Sequence, residues 1–241
     1  MAAIVEFERV SYTPPGQSAA VLRNFSLAIA SGETVVLLGR SGSGKTTALK
    51  LVNGLLFPTQ GEVRVEGKST REWDPVALKR RIGYVIQEAG LFPHFTVSRN
   101  IALPPRLNGW TAEKIEARTA EMLRTVGLEE YGSRYPRQLS GGQRQRAGVA
   151  RALSAEPALL LLDEPFGALD PVTRLALQKE FLKLIKTALF VTHDIREALQ
   201  LGTRVALLHQ GDLAVIDTPK AFLESRHPEA QAFLEVLHGV G

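Results

Sequence analysis

The sequence contains no cysteine, which excludes disulfide bonds and metal sites built on thiolates. It contains no apolar run near the roughly 20 residues that cross a bilayer, and its first residues lack a basic stretch followed by an apolar one. We therefore expect a soluble chain that acts at a membrane only by association. The 29 Lys and Arg residues are interspersed with 25 Asp and Glu residues, which is more typical of a solvated surface than of a nucleic-acid groove.

Apolar residues make up 44% of the 241 residues, enough for one large domain or for a core with a lobe. Helical stretches separate several continuous apolar runs that are typical of strands buried on both faces of a parallel sheet, so the sequence predicts an α/β fold. These runs are "ETVVLLG" (33–39), "ALLLLDE" (158–164), "ALFVTHD" (188–194) and "RVALLH" (204–209). Residues 3–10 and 21–29 alternate between apolar and polar and predict two further strands.

The segment 88–157 interrupts this order and predicts an inserted helical lobe. One helix is expected to begin after Thr111 as its N-cap and to stop at Gly127. Its apolar face would consist of Ile115, Met122, Leu123 and Val126. A second helix is expected at 141–154, and the tail 219–237 predicts one or two short amphipathic helices beginning at Pro219.

The stretch "GRSGSGKTT" (39–47) matches the pattern G-x-x-x-x-G-K-[ST] between a buried strand and a helix. Its glycines allow successive backbone N–H groups to point at phosphate oxygens, Lys45 would reach the β- and γ-phosphates, and the Thr46 hydroxyl would bind Mg²⁺. The alternative, a glycine-rich turn that binds nothing, is disfavoured by the flanking strand and helix. The residues predicted to hold ATP here are Gly39, Ser41, Gly42, Ser43, Gly44, Lys45, Thr46 and Thr47.

"LLLLDEP" supplies two carboxylates at the end of a predicted buried strand. Asp163 can hold Mg²⁺ directly or through water, and Glu164 can accept a hydrogen bond from an attacking water. The alternative is a strand that ends in a solvated acidic turn, which the upstream phosphate loop makes the weaker interpretation.

A second loop suited to phosphate lies in "QLSGGQRQRAGVARAL" (138–153). A Ser-Gly-Gly at the start of a helix offers a hydroxyl, bare N–H groups and the positive end of the helix dipole. It lacks a lysine and a preceding strand, so it cannot hold a nucleotide alone. We expect it to complete a site whose other half lies on a second subunit.

The ordered set of loops resembles the nucleotide-binding subunit of ATP-binding cassette (ABC) transporters, whose signature "LSGGQ" stands at 139–143. The resemblance implies a single ABC ATPase domain over 1–241 with a P-loop NTPase (RecA-like) α/β core and an antiparallel β subdomain. The core would comprise 1–87 and 158–241, and the helical signature subdomain would comprise 88–157.

The resemblance also assigns roles that the single residues would not justify. Tyr12 would stack on adenine, Gln87 would meet Mg²⁺ and water, Asp170 of "GALD" (167–170) would lie on the D-loop, and His193 would contact the γ-phosphate. Taken singly, Tyr12 would be a packing residue, Gln87 a surface residue and His193 a structural one. In this family two chains dock head to tail, so that one signature loop closes over the ATP held by Lys45 of the other chain. The signature residues are Ser140, Gly141, Gly142 and Gln143.

The implied reaction is ATP hydrolysis by in-line attack of water on the γ-phosphorus, assisted by Mg²⁺. Glu164 would polarise the water and His193 would hold the geometry, while charge on the phosphates is offset by the P-loop. The residues expected to take part in catalysis are Lys45, Gln87, Glu164 and His193.

"EAGLFPHFTVSRNIALPPRLNGW" after Gln87 and "DEPFGALDPVTR" most resemble ATPase subunits of bacterial importers for osmoprotectants such as glycine betaine, carnitine and choline. This implies a partner permease, an extracytoplasmic substrate-binding protein and a cytoplasmic location on the inner face of the membrane. Phe92, Phe95 and Trp110 either line a groove for a partner helix or pack the helical lobe. Alternatives are an importer for another small solute, an ABC ATPase acting on nucleic acid, and a nucleotide kinase.

Two features depart from the osmoprotectant pattern. Many such cassettes continue into paired CBS domains, and this sequence ends at Gly241, so we expect no CBS module. The helix-to-strand connection in "FLKLIKTALFVTHD" is shorter than in the family and lacks its glycine, which implies a tight turn or omitted residues.

Overall fold

The computed structural model describes residues 3–87 and 89–238. The chain divides into two compact units, the first formed by Met1–Lys79 and Lys186–Gly241 and the second by Arg80–Ile185. The helical lobe expected at 88–157 lies within the second unit, which also contains the strand that follows it.

In the part of the chain that the structure describes, the first unit contains strands of two sheets and the helices that accompany them. Its strands are β1 (Ala3–Tyr12), β2 (Leu22–Ala30), β3 (Thr34–Leu38), β4 (Gln60–Val65), β5 (Lys68–Ser69), β8 (Ala188–Thr192), β9 (Arg204–His209) and β10 (Asp212–Asp217). Its helices are α1 (Lys45–Val52), α7 (Ile195–Leu201), α8 (Pro219–Leu223) and α9 (Pro228–His238). Helix α2 (Pro75–Arg81) lies where the chain passes into the second unit.

Strand β3 has parallel neighbours on both sides, β8 on one and β9 on the other, and β10 continues antiparallel to β9. Every residue of β3 and β8 is buried, as expected for continuous apolar strands covered on both faces. Leu38, the last residue of β3, is in register with Thr192, the last residue of β8. The residues that follow these two strands therefore emerge side by side at one edge of the sheet.

The second sheet of this unit is antiparallel, with the strand order β2-β1-β4-β5. Strands β1 and β2 alternate between buried and more exposed residues, which confirms the strands predicted at 3–10 and 21–29. Phe7 and Phe25 meet edge to face on the buried side with ring centroids 5.0 Å apart.

Among its described residues, the second unit combines two parallel strands with four complete α-helices. The strands are β6 (Ile82–Val85) and β7 (Leu159–Asp163), and the helices are α3 (Val97–Leu107), α4 (Ala112–Thr125), α5 (Gly141–Ser154) and α6 (Pro171–Leu184). The central part of β6 packs against α5 through Gly83, where an added Cβ would lie 2.4 Å from the carbonyl oxygen of Ala152. No side chain fits there, so the glycine allows the helix to approach the strand closely.

The structure confirms the boundaries predicted for helix α4. The Thr111 hydroxyl accepts a hydrogen bond from the backbone N–H of Lys114 at 3.4 Å, and the chain turns away at Gly127 with φ +60°. Of the predicted apolar face, Met122, Leu123 and Val126 are buried and Ile115 is half-buried.

Helix α3 holds the preceding loop through the fully buried side chain of Asn100. Its Oδ1 accepts from the N–H of Phe92 at 2.8 Å. Its Nδ2 donates to the carbonyl oxygens of Phe92, Phe95 and Thr96 at 3.1, 3.2 and 3.0 Å. One side chain thus satisfies several backbone groups of a segment that has no regular structure of its own.

Among the described residues, no helix combines the length and the apolar character needed to cross a membrane. Three residues, 185–187, connect α6 to β8, and they contain no glycine.

Replacing Asn100 with Ala tests this anchoring. The change leaves part-buried backbone groups of the 92–96 loop without their side-chain partner, so the free energy of unfolding should fall by about 1–3 kcal/mol. Equilibrium unfolding in urea measures the loss. Asn108→Ala is the control, because Asn108 is exposed at the end of the same helix and should change stability by less than about 0.5 kcal/mol. Equal losses in the two variants would contradict this role of Asn100.

Candidate functional site

In the first unit, the predicted phosphate loop joins the end of β3 to the start of α1. Gly42 and Gly44 have φ values of +80° and +105°, in the left-handed region that glycine tolerates. Gly44 is the N-cap of α1, without a capping side chain, and the first turn contains no acidic residue. The helix therefore presents a positive dipole end with no negative side chain of its own on that turn.

Lys45 folds back over the same loop. Its Nζ donates to the carbonyl oxygens of Gly39 at 2.7 Å and Arg40 at 2.9 Å, and the residue is only 6% exposed. A buried ammonium needs such hydrogen bonds, and a phosphate oxygen supplies opposite charge as well. The loop backbone thus positions the lysine before a nucleotide arrives.

Two observations indicate that the loop fits a phosphate chain. The Ser43 hydroxyl is buried and, within the described residues, has no hydrogen-bond partner. At Gly39 an added Cβ would lie 2.4 Å from the Leu208 carbonyl oxygen and 2.7 Å from Ser43 Oγ. The backbone is therefore held close to β9, and a polar atom remains available in a loop that is otherwise glycine-rich. Of the other predicted contacts, Ser41 is exposed, and Thr46 and Thr47 are half-buried at the start of α1.

His193 follows β8 at the edge where the phosphate loop follows β3, and it is exposed. The backbone around it is fixed by Thr192, whose Oγ1 accepts from the Asp194 N–H at 3.0 Å and donates to Glu197 Oε2 at 2.6 Å. Glu197 is 6% exposed. This carboxylate orders the turn that carries His193, and no local sequence pattern marks it.

Tyr12 is the last residue of β1 in the same unit and is 8% exposed. Its carbonyl accepts from the N–H of Val21 at 2.8 Å. The stacking role given to its ring stays a prediction, since packing accounts for much of its surface.

In the second unit, the parallel strands β6 and β7 bring the other candidate residues to one edge. Val85 is in register with Leu162, so Gln87, two residues beyond Val85, lies near the strand end that carries Asp163 and Glu164. Gln87 is exposed, Asp163 is 4% exposed, and Glu164 is half-buried with a left-handed φ of +48°. A non-glycine residue in that region indicates a backbone held by its surroundings.

The Asp163 carboxylate influences the pKa of Tyr84 on the neighbouring strand β6. Burial, with a smaller contribution from the Asp163 carboxylate, raises the pKa of Tyr84 on β6 to about 12. The Tyr84 phenol therefore stays neutral at physiological pH.

The signature loop begins α5 with a reciprocal cap. The Ser140 hydroxyl accepts from the N–H of Gln143 at 3.2 Å, and Gln143 Oε1 accepts from the N–H of Ser140 at 2.8 Å. Glutamine completes this capping box without the negative charge that glutamate would bring. Ser140 and Gly141 are exposed, and the serine hydroxyl keeps its own proton to donate, so this helix end stays receptive to an anion.

Asp170 of the "GALD" segment is an exposed N-cap of α6 and accepts from the Thr173 N–H at 3.0 Å. That hydrogen bonding lowers the pKa of its carboxyl. Ala168 and Leu169, which precede Asp170, pack on the signature loop. An added Cβ at Gly142 would lie 3.2 Å from the Ala168 carbonyl oxygen and 3.2 Å from Leu169 Cδ2. The signature loop and the D-loop segment are thus neighbours in this unit.

Helix α5 also holds the segment that follows Gln87. The Arg151 guanidinium donates to the carbonyl oxygens of Gly90 at 2.7 Å and Ala89 at 3.0 Å. Gly148 allows the contact, because an added Cβ there would lie 3.1 Å from Ala89. No local sequence pattern marks Arg151, because its partners Gly90 and Ala89 lie 61 and 62 residues away in the chain.

These features define a nucleotide-binding α/β protein of the P-loop class, and comparison with known proteins narrows the class further. The family described as ABC transporter matches residues 22–167. The glycine betaine/carnitine/choline transport ATP-binding protein OpuCA of Bacillus subtilis is 48% identical over 98% of this chain and 62% of its own length. The sulfate/thiosulfate import ATP-binding protein CysA of Caulobacter vibrioides is 47% identical over 82% of this chain and 60% of its own length.

A dimeric ATP-binding cassette in a post-hydrolysis state, bound to ADP and Pi, superposes with a TM-score of 0.82 and 34% identity, covering 89% of this chain and 98% of that one. The chain belongs to the ABC transporter family of ATP-binding cassettes. It spans about three fifths of the length of the curated relatives named above.

Gly39→Ala tests the phosphate loop. The methyl group would collide with the Leu208 carbonyl and Ser43, displacing the carbonyl that holds Lys45, so the Kd for ATP should rise at least about tenfold. Fluorescence titration with a labelled ATP analogue measures the change. Gly67→Ala is the control: its φ of +74° makes alanine strained, but no atom lies within 4 Å, so ATP affinity should not change. Unchanged affinity in Gly39→Ala would contradict this geometry.

Proposed function

We propose that this chain is the ATP-binding and ATP-hydrolysing subunit of an ABC importer that takes up a small solute through a partner permease. The observation that carries the proposal is the phosphate loop in which Lys45 is buried and oriented by the carbonyls of Gly39 and Arg40. The family match and the solved cassette bound to ADP and Pi support ATP as the ligand of this loop.

The residues near the strand ends divide the chemistry between them. Glu164 accepts a hydrogen bond from the attacking water, and His193, on the turn ordered by Glu197, contacts the γ-phosphate. Thr46, Gln87 and Asp163 offer the oxygen ligands that Mg²⁺ prefers, and the buried Asp163 supplies the charge. When bound, Mg²⁺ offsets negative charge on the phosphates. Catalysis then rests mainly on positioning and electrostatic stabilisation.

The second phosphate-binding loop requires a second copy of the chain. Ser140, Gly141 and Gly142 stand at an uncharged helix start, and no lysine accompanies them. In a head-to-tail dimer they would close over the ATP held by Lys45 of the other copy, and the two-fold axis would make two such sites. ATP would then contact both copies only in the closed state and would shift the equilibrium towards it.

Glu164→Gln should separate binding from hydrolysis, because the amide cannot polarise water while the phosphate loop stays intact. Light scattering of this variant should show monomers without nucleotide and dimers with Mg-ATP. Adding Ser140→Arg should abolish the dimer by placing a long side chain where the γ-phosphate is expected. Ser133→Arg, at an exposed position of the same unit, is the control and should leave dimerisation intact. Normal ATP turnover by Glu164→Gln would refute the assignment of Glu164.

The permease is proposed to dock on the aromatic surface formed by Phe92, His94 and Phe95. The Phe92 and Phe95 centroids are 5.7 Å apart, those of His94 and Phe95 are 4.5 Å apart, and Phe92 is 42% exposed. Arg151 and Asn100 hold the surrounding backbone, so movement of Gln87 and of the signature helix would be coupled to this surface. Trp110 is half-buried, and Lys114 Nζ lies 3.7 Å from the centroid of its ring, so we assign Trp110 to packing of the helical lobe instead. With a permease as its partner, the chain is proposed to lie in the cytoplasm, peripheral to the membrane.

The proposed solute is a quaternary-amine osmoprotectant such as glycine betaine, carnitine or choline, delivered to the permease by an extracytoplasmic substrate-binding protein. The osmoprotectant relative OpuCA supports this choice. The second candidate is a different small solute, because the sulfate/thiosulfate relative CysA is almost as similar in sequence. Neither the aromatic surface nor the signature loop leads us to propose a nucleic-acid partner.

Uptake by cells that express the chain with its permease and binding protein distinguishes the two solute classes. Labelled glycine betaine or choline should accumulate, and labelled sulfate should not. The same cells carrying Glu164→Gln provide the control and should lose uptake, because hydrolysis no longer resets the transporter. Accumulation of sulfate without any quaternary amine would refute the osmoprotectant assignment and favour the second candidate.

A further inference from the structure

The C-terminal helix α9 reaches the phosphate loop through one carboxylate. Oε1 of Glu229 accepts from Nε of Arg40 at 2.6 Å, and Oε2 lies 3.4 Å from Nδ1 of His209. The Glu229 side chain is only 13% exposed. The two oxygens of one carboxylate therefore bridge a residue of the loop and the last residue of β9.

Both partners of Glu229 adjoin the groups that orient Lys45. Arg40 supplies one of the two carbonyl oxygens that accept from Lys45 Nζ. His209 follows Leu208, whose carbonyl oxygen packs against Gly39, the source of the other acceptor. The carboxylate thus braces the loop at the side chain of Arg40 and at the strand on which Gly39 rests.

Helix α9 is itself firmly placed. Ala230 is fully buried and Leu234 is 5% exposed, and the helix packs against α7. Nδ1 of His227 accepts from the backbone N–H of Glu229 at 3.2 Å, which caps the first turn. Glu229 therefore extends from a fixed support rather than from a free chain end.

The charge on Glu229 suits this position. The hydrogen bond from Arg40 and the charges of Arg40 and His209 lower the pKa of its carboxyl against the opposing effect of burial. The group is ionised at neutral pH, and its hydrogen bond to the guanidinium is charge-assisted.

We infer that Glu229 is a positioning residue for ATP binding, which acts through Arg40 and β9 to hold the carbonyls that orient Lys45. The inference rests on the proposed function and extends it: the C-terminal helix takes part in the nucleotide site without touching the nucleotide. Glu229 also keeps the Arg40 side chain directed to α9, so that this cation does not compete with Lys45 for the phosphates.

The expected effect is modest, because the Arg40 side chain is 68% exposed and water screens the pair. Exposed or half-exposed ion pairs change an equilibrium constant by about two- to fivefold. Glu229→Ala should therefore raise the Kd for Mg-ATP by about that factor, with a smaller change in kcat at saturating ATP. Glu229→Gln should lie between, because the amide oxygen still accepts from Arg40 but carries no charge.

The test measures ATP Kd, kcat and thermal unfolding for the wild-type chain, Glu229→Ala, Glu229→Gln, Arg40→Ala and the double variant. Glu235→Ala is the matched control, since Glu235 is an exposed glutamate on the same helix. If Glu229 acts through Arg40, the double variant should bind ATP no more weakly than the worse single variant. Additive losses in affinity would overturn the inference.

Two further outcomes are decisive. If Glu229→Ala lowers the unfolding temperature but binds ATP as tightly as Glu235→Ala does, Glu229 is only structural and the inference fails while the proposed function stands. If the wild-type chain itself does not bind ATP, the proposed function fails and the inference fails with it. The wild-type titration therefore separates the two failures.

Discussion

The nucleotide site depends on the two hydrogen bonds that Lys45 donates to backbone carbonyl oxygens. A lysine that is 6% exposed has lost most of its hydration, so its ammonium group must be satisfied by the loop around it. The carbonyls of Gly39 and Arg40 can do this only because the loop turns tightly through glycines after a fully buried strand. Strand, loop and helix together therefore present a positive charge and a helix N-terminus at the end of β3.

A second constraint follows from charge at the other phosphate-binding loop. The start of α5 is capped by the neutral pair Ser140 and Gln143, so the dipole end is stabilised without an anion of its own. The same helix clamps the backbone after Gln87 through Arg151. A ligand that draws this helix end towards itself would thus displace Gln87's neighbours and the aromatic surface beside them as one body. If the proposed permease docks on that surface, this coupling gives a physical route from ATP to the permease.

Local patterns predicted most of the fold correctly. The continuous apolar runs became β3, β7, β8 and β9 because burial on both faces demands such composition, and Thr111 capped α4 because a threonine side chain can reach the N–H of Lys114. The residues of the phosphate loop could also be predicted from the sequence, because such a loop is a contiguous motif. Their roles in ATP chemistry stay predictions.

Contacts between distant segments could not be predicted in this way. Arg40 and Glu229 are 189 residues apart, and neither position carries a local pattern that marks it. Asn100, Arg151 and Glu197 are likewise polar residues in helices, where the sequence alone favours an exposed surface. Only the packing of the elements shows that each one satisfies backbone or hydroxyl groups of a functional loop.

Mixing two inactive variants tests the central claim most directly, namely that each nucleotide site is shared between two copies. Lys45→Ala lacks one half of the site and Ser140→Arg lacks the other, so each protein alone should hydrolyse almost no ATP. In a mixed dimer, Lys45 of the Ser140→Arg chain faces the intact signature loop of the Lys45→Ala chain, and one complete site is restored. We predict ATPase activity in the mixture well above the sum of the two separate proteins. Activity equal to that sum, under conditions in which the wild-type chain is active, would contradict a shared site.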